Sequence, residues 1–271
     1  ENLKVAQSSF KTTERFQDQN WSNYTKHNYA VFNVYHTWTE YVNRLLGALS
    51  GLVLLLTFIF SITHLKSKPR LTLLCFIGLI GIILQGVLGK IVVDTLLSPY
   101  LISLHMILAL LLVAWYIFIL KKISQNSWQT SRLFSRLSLI IIGLFIVQIM
   151  LGVQVRQSVD FTVKSLGYEN KHLWNDAPGI LFYIHRSFSV LVLIAFYFYI
   201  KKGFSLNYSK TYLYAVAFML IVNILTGMGM YYLDFPFGFQ SIHLVISALL
   251  MGLLFYIWLS VHPKIRSVIS T

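Results

Sequence analysis

The sequence predicts an all-α integral membrane protein. Hydrophobic residues occupy 56% of its 271 positions and charged residues only 11%, whereas about 25% of the residues of an ordinary soluble domain are charged. Apolar runs close to the roughly 20 residues that cross a bilayer recur along the whole chain. They predict seven transmembrane helices at Leu45–Thr63, Leu71–Gly89, Ser98–Leu120, Leu137–Val155, Ser187–Ile200, Thr211–Leu233 and Phe235–Pro263.

The fifth run is short because Arg186 interrupts it. Continued upstream through His185 to Pro178, it reaches the length of a full span with one arginine inside. A charged side chain within a membrane helix is costly and indicates a functional role. Arg186 is therefore a candidate site residue.

Charge alternates between successive connections. The formal net charge is +13, and the connections that follow helices one, three, five and seven are basic and contain no acidic residue. By the positive-inside rule these loops are cytoplasmic. The opposite side then holds the N-terminal segment 1–39 and the long loop Gln157–Ala177. The positive charge thus indicates membrane topology rather than nucleic-acid binding.

Helices one to three repeat as helices five to seven. The first helix opens with Asn43-Arg44 and the fifth with His185-Arg186. A proline followed by a histidine six or seven residues later opens helices three and seven, and Gln-x-x-x-Gly on helices two and four has a weaker counterpart on helix six. An internal repeat of this kind predicts two structurally similar halves.

Both halves enter the membrane in the same direction, so we expect a pseudo-twofold axis along the membrane normal. The predicted regions are an outer segment at 1–39, an N-terminal half-bundle at 40–122 and a C-terminal four-helix bundle at 134–262. The first half has no counterpart of helix four. We therefore expect an eighth helix upstream of Glu1 in the native protein, which would give two four-helix bundles.

Three histidines occupy one predicted depth. His105, His185 and His243 each follow the outer start of their helix by six or seven residues, which is roughly 10 Å at about 1.5 Å per residue. His185 and His243 lie on alternate helices of one predicted bundle, as two imidazole ligands of a haem iron would. On helix one, Asn43 stands at the equivalent depth.

Charged residues accompany this layer. Arg44 and Arg186 have the planar donor fork that suits haem propionates, although an arginine near a helix end also serves as an interfacial anchor. Glu40 precedes Asn43 by three residues and so shares its helix face. It is a candidate for chemistry or a solvated helix start.

Taken together, these motifs resemble the haem A synthase family, from about Trp38 to His262, and the string around Asn43-Arg44 resembles its bacterial, Bacteroidetes-like branch. The resemblance implies eight helices in two halves. It implies a haem b cofactor on His185 and His243, haem O as substrate beside His105, and Glu40 as the catalytic carboxylate.

The family's reaction would be oxidation of the C8 methyl of haem O to a formyl group, giving haem A for cytochrome oxidase while electrons leave through haem b. The resemblance implies a multi-pass protein of the bacterial inner membrane, surrounded by lipid. Candidate partners are haem O synthase, cytochrome oxidase assembly factors and an electron acceptor such as a quinone.

The sequence departs from the family at two points. Many members have histidine where this chain has Asn43, so the substrate iron is either five-coordinate on His105 or takes His36 from the outer segment. The cysteine pair that many relatives carry in the first outer loop is absent, and we expect it upstream if at all. The alternative functions are a non-enzymatic di-haem electron-transfer cytochrome, against which Asn43 argues, and a haem-binding assembly protein.

Overall fold

The computed structural model describes residues 34–95, 98–124, 128–166, 173–174 and 179–262. Over these ranges the chain is helical, without strands. Its long helices are α1 Val34–Ile62, α2 Pro69–Asp94, α3 Pro99–Ile123, α4 Arg132–Leu166, α5 Ile180–Ser205, α6 Lys210–Tyr232 and α7 Phe239–Val261. All 7 are long and apolar enough to cross a membrane. The prediction of an all-α protein with seven spans is confirmed.

Two helices extend further than the uncharged runs predicted. α1 begins at Val34, within the predicted outer segment, and α4 continues to Leu166, within the predicted outer loop. The predicted outer loop Gln157–Ala177 is therefore helical as far as Leu166, and in that part the prediction is wrong. Polar residues do not stop a helix that can pair them one turn apart, and Arg156 Nε lies 3.4 Å from Asp160 Oδ2.

Prolines and a turn fix the starts of other helices. Pro69 and Pro99 stand in the first turns of α2 and α3, where the missing N–H of proline removes no helical hydrogen bond. Before α7, Gly238 has φ of 83°, a left-handed conformation that glycine adopts without strain. This turn delays α7 to Phe239 rather than the predicted Phe235.

The chain divides into two compact units, Glu1–Leu56 and Thr57–Thr271, and the division falls within α1. In the first unit, residues 37–50 of α1 are exposed. Because many of them are apolar, this segment has the surface of a lipid-facing helix. In the second unit, α3 packs against α2, α4 and α7.

Helices α4 to α7 form a closed ring in the second unit. Each helix packs against the next along the chain, and α4 also packs against α7. It follows that α5 and α7 stand on opposite sides of the ring, as do α4 and α6. Pseudo-twofold symmetry with the N-terminal half stays a prediction.

A buried aromatic cluster lies where α5 ends and α6 begins. Phe134 is fully buried and stacks on Tyr199, with ring centroids 4.8 Å apart, and on Tyr208 at 4.6 Å. Gly203 of α5 lies directly against Leu213 and Phe134. This apolar core holds one end of the ring together, and the histidines lie toward the other end.

Candidate functional site

Each of the three predicted histidines lies against a glycine of the preceding helix. A Cβ added to the glycine would stand 3.3 Å, 3.1 Å or 3.4 Å from the histidine Cε1 in the pairs Gly89–His105, Gly152–His185 and Gly227–His243, respectively. The distances at Gly89 and Gly152 are shorter than most real Cβ contacts, so a larger residue there would require the imidazole to shift by a few tenths of an ångström. The sequence alone does not indicate this role for the three glycines.

The histidines follow the first residue of α3, α5 and α7 by six, five and four residues. The prediction of six or seven residues is therefore wrong for His185 and His243. α5 begins after Gly179, and α7 begins after the turn through Gly238. The apolar runs in the sequence predict that both helices begin further upstream. The shared glycine contact defines the common layer of the three histidines more directly than their distance from a helix start.

A glutamine one turn before the glycine reaches the histidine's own helix in two of the three pairs. Gln85 Nε2 donates a hydrogen bond to the carbonyl oxygen of His105 at 2.9 Å. Gln148 Nε2 lies 3.3 Å from both the carbonyl oxygen and Nε2 of His185. The Gln-x-x-x-Gly spacing puts both side chains on one helix face. The motif therefore forms a support for the facing histidine.

His243 has a different set of partners. Its Nδ1 lies 2.9 Å from the carbonyl oxygen of Asn223 and 3.1 Å from Thr226 Oγ1. Because a carbonyl oxygen only accepts hydrogen bonds, Nδ1 carries the proton and Nε2 carries the lone pair of the neutral ring. Ser247 Oγ lies 2.8 Å from Asn223 Oδ1 and extends the network. Sequence analysis missed Thr226 and Ser247, for which the sequence offers no motif.

His185 and His243 lie on α5 and α7, which stand on opposite sides of the ring. Both imidazoles are half-buried. The layer therefore provides one imidazole from each of two opposite helices of one bundle, as the sequence predicts for haem ligation.

The polar atoms of this layer fit an iron-bound group. Among the described residues, the buried Nδ1 atoms of His105 and His185 have no hydrogen-bond partner, whereas buried polar atoms are ordinarily paired. His243 presents an unprotonated Nε2, the form in which imidazole binds iron. Neutral imidazoles are common ligands of haem iron, so the donor set suits haem.

Arg186 stands at the rim of the ring beyond the histidines. It is exposed, and its guanidinium carbon lies 6.0 Å from the centroid of the Tyr231 ring. Tyr231 in turn stacks on Phe182 at 4.9 Å between centroids. These contacts hold a positive charge near the histidine layer without burying it.

The site residues predicted on helix one form a group of their own. Arg44 is ion-paired with Glu40 one turn away, and both side chains are more than half exposed. Sequence analysis gave the two residues separate roles, although their spacing of four signals such a pair. Asn43, also exposed, belongs with them to the unit that ends at Leu56, and His105 belongs to the other unit. The side chain of His36 lies outside the described residues.

The fold and the site define a multi-pass helical membrane protein with a histidine centre suited to haem. The sequence model of the COX15-CtaA family, described as cytochrome oxidase assembly protein, matches residues 1–255. The chain belongs to this family. The match confirms the resemblance to haem A synthases drawn from the sequence, and with it the prediction of a membrane oxidoreductase.

Curated relatives cover most of the chain at low identity. The haem A synthase of Ehrlichia canis (strain Jake) is 27% identical over 242 residues, covering 80% of this chain and 69% of that protein. That of Wolbachia pipientis wMel is 25% identical over 257 residues, with coverages of 86% and 72%. That of Pelagibacter ubique (strain HTCC1062) is 26% identical over 255 residues, with coverages of 83% and 73%.

Proposed function

We propose that this protein converts haem O to haem A by oxidising the C8 methyl group to a formyl group, for use in cytochrome oxidase. The observation that carries the proposal is the placement of His185 and His243 on α5 and α7, opposite helices of the ring of α4 to α7, in a member of this family. A redox centre at this position suits an enzyme that must remove electrons from its substrate.

Haem b is the proposed cofactor; His185 and His243 would hold its iron, and Arg186 would bind one propionate. When bound, it would accept electrons from the reaction and pass them to an acceptor. The chain's own part is orientation. Asn223 and Thr226 hold the proton on Nδ1 of His243, which directs the Nε2 lone pair to the iron.

The substrate half is assigned from the family resemblance. His105 would ligate the iron of haem O, supported from behind by Gly89 and Gln85. Arg44 would bind a propionate, and Asn43 would leave that side of the iron without an imidazole. Asparagine is a poor iron ligand, so the haem in this half would be bound less tightly. Weaker binding suits a substrate that must leave as product.

Glu40 is the proposed catalytic carboxylate. A fixed negative charge placed before positive charge develops on the methyl carbon lowers the energy of the transition state. Arg44 pairs with Glu40 in the structure, and a propionate that draws Arg44 away would leave the carboxylate to act on the substrate. In Glu40→Gln we expect haem A formation to fall by about 100-fold or more, with the haem b content unchanged.

The proposal places the protein in the bacterial inner membrane, with the basic loops in the cytoplasm and the long loops outside. Haem O synthase is the proposed supplier of the substrate. Cytochrome oxidase assembly factors are the proposed recipients of the product, and a quinone is a candidate electron acceptor.

The direct test is to produce the protein together with a haem O synthase and to identify the extracted haems by mass and pyridine spectrum. We expect haem b together with haem O and haem A. Replacing His185 or His243 with Ala should abolish the low-spin haem b signal. Two equivalents of haem b, with no haem A formed from supplied haem O, would instead indicate the di-haem electron-transfer cytochrome.

A further inference from the structure

We propose that Arg156, on α4, binds a propionate of the haem held between His185 and His243. This inference rests on the proposed function, because it requires haem b in the ring of α4 to α7. It adds a binding residue to a helix that provides no iron ligand.

The position of Arg156 follows from the glycine contact. Gly152 lies against His185, and Arg156 is four residues further along α4. At about 1.5 Å per residue this is roughly 6 Å, on nearly the same helix face. A haem held by His185 and His243 would carry its propionates at one edge, away from the iron. Arg156 therefore stands at a height that suits a propionate rather than the metal.

The same register recurs on the opposite helix. Tyr231 follows Gly227 on α6 by four residues, as Arg156 follows Gly152 on α4. The guanidinium of Arg186 lies over Tyr231. α4 and α6 end on the same side of the membrane. Arg156 on α4 and the guanidinium of Arg186, which lies over Tyr231 of α6, therefore stand at opposite corners of the ring, one turn beyond the histidines. Two cations at this level match the two propionates of a haem.

Asp160 does not remove Arg156 from this role. The Arg156–Asp160 pair joins Nε to Oδ2 at 3.4 Å, and the two side chains are 49% and 36% exposed. Exposed ion pairs of this length contribute little to stability. The contact uses Nε, whereas the terminal guanidinium nitrogens provide a second edge for a bidentate carboxylate contact. Asp160 would thus leave Arg156 available to the haem.

The test is carried out on the purified full-length protein with haem b bound. Haem release to excess apomyoglobin is measured for the parent, Arg156→Gln and Arg156→Lys, together with the midpoint potential of haem b. Arg136→Gln is the matched control, because Arg136 lies near the other end of the same helix. Asp160→Asn tests whether the neighbouring carboxylate matters.

We expect haem release to become about tenfold faster in Arg156→Gln, since a charge-assisted hydrogen bond is lost. The midpoint potential should fall, because removal of a nearby positive charge favours ferric iron. Arg156→Lys should restore the potential and part of the retention, while Arg136→Gln and Asp160→Asn should behave like the parent.

If Arg156→Gln releases haem at the same rate as the parent and has the same midpoint potential, the inference is overturned and Arg156 is an interfacial anchor. Faster release with an unchanged potential would also overturn it, because that result indicates a general loosening of the ring. If the parent protein holds no haem b at all, the proposed function fails first. The two failures are thus distinguishable.

Discussion

Single glycines lie in direct contact with the imidazoles of the histidine layer. Gly152 has His185 Cε1 at 3.1 Å from the position of an added Cβ, whereas Gly143, on the same helix, has nothing within 4 Å. The two positions therefore separate the contact with the histidine from the general effect of alanine in a helix, which is favourable relative to glycine.

Gly152→Ala is expected to displace His185 and weaken haem b binding by about tenfold, a size typical of changes beside a metal ligand. Gly143→Ala should leave the binding unchanged. Haem content after purification and the low-spin electron paramagnetic resonance signal are the measurements. Equal haem content in the two variants would show that the ring of His185 adjusts to the added methyl group without loss of the ligand.

The proton on Nδ1 of His243 depends on two acceptors of different kinds. The Asn223 carbonyl belongs to the backbone and survives any substitution, whereas the Thr226 hydroxyl can be removed. Thr226→Val should therefore keep haem b bound but raise its midpoint potential, because an imidazole with fewer hydrogen-bond acceptors donates less electron density to iron. Thr226→Ser should restore the parental potential. An unchanged potential in Thr226→Val would indicate that the carbonyl alone fixes the ring.

At the scale of elements, the repeated unit is a pair of helices. In α2–α3 and α4–α5 a glutamine and a glycine on the first helix support a histidine on the second, and in α6–α7 an asparagine backbone takes the place of the glutamine side chain. Sequence spacing revealed the motif, since a period of four is visible along one helix. The sequence does not show what the motif contacts, because its glutamine and glycine meet the histidine of the next helix only through tertiary packing.

The apolar end of the ring is expected to determine stability without affecting the haem. A Cβ at Gly203 would lie 2.7 Å from Leu213 Cδ2 and 3.2 Å from Phe134 Cζ, and both of these side chains are fully buried. Gly203→Ala should lower the unfolding free energy by about 1–3 kcal/mol, the usual effect of overpacking. Thermal unfolding in detergent measures it. Gly86→Ala, which has nothing within 4 Å, should be neutral or stabilising, and the haem b spectrum should be unchanged in both variants.

For the whole molecule, the apolar runs and the alternation of charge were sufficient to predict seven spans, because bilayer thickness constrains helix length. Uncharged runs alone do not predict the last turns of α4, because Arg156 ends the uncharged run. Separate haem-binding roles for Glu40 and Arg44 likewise do not predict their ion pair, which only the spacing of four residues indicates. Sequence therefore predicts which helices carry the site better than it predicts the contacts within it.

The two halves should hold their haems differently. The C-terminal ring provides His185 and His243 as two imidazoles, whereas helix one has Asn43 in the position that corresponds to His185. The first haem would then depend on His105, with one iron face open for oxidation of the substrate and with weaker retention. We expect one low-spin haem b and one high-spin, readily exchanged haem O in electron paramagnetic resonance and absorption spectra. His105→Ala should remove only the exchangeable haem.

His36 provides the decisive control for this asymmetry. If a single histidine holds the substrate, His36→Ala should leave the high-spin signal and the rate of haem A formation unchanged, while Asn43→His should convert that haem to a low-spin form that exchanges slowly. A second ligand blocks the open face and slows departure, so product formation should fall in the Asn43→His variant. Two low-spin haems in the parent, with the first lost in His36→Ala, would show that the outer segment supplies the missing ligand and that no open coordination site exists for the reaction.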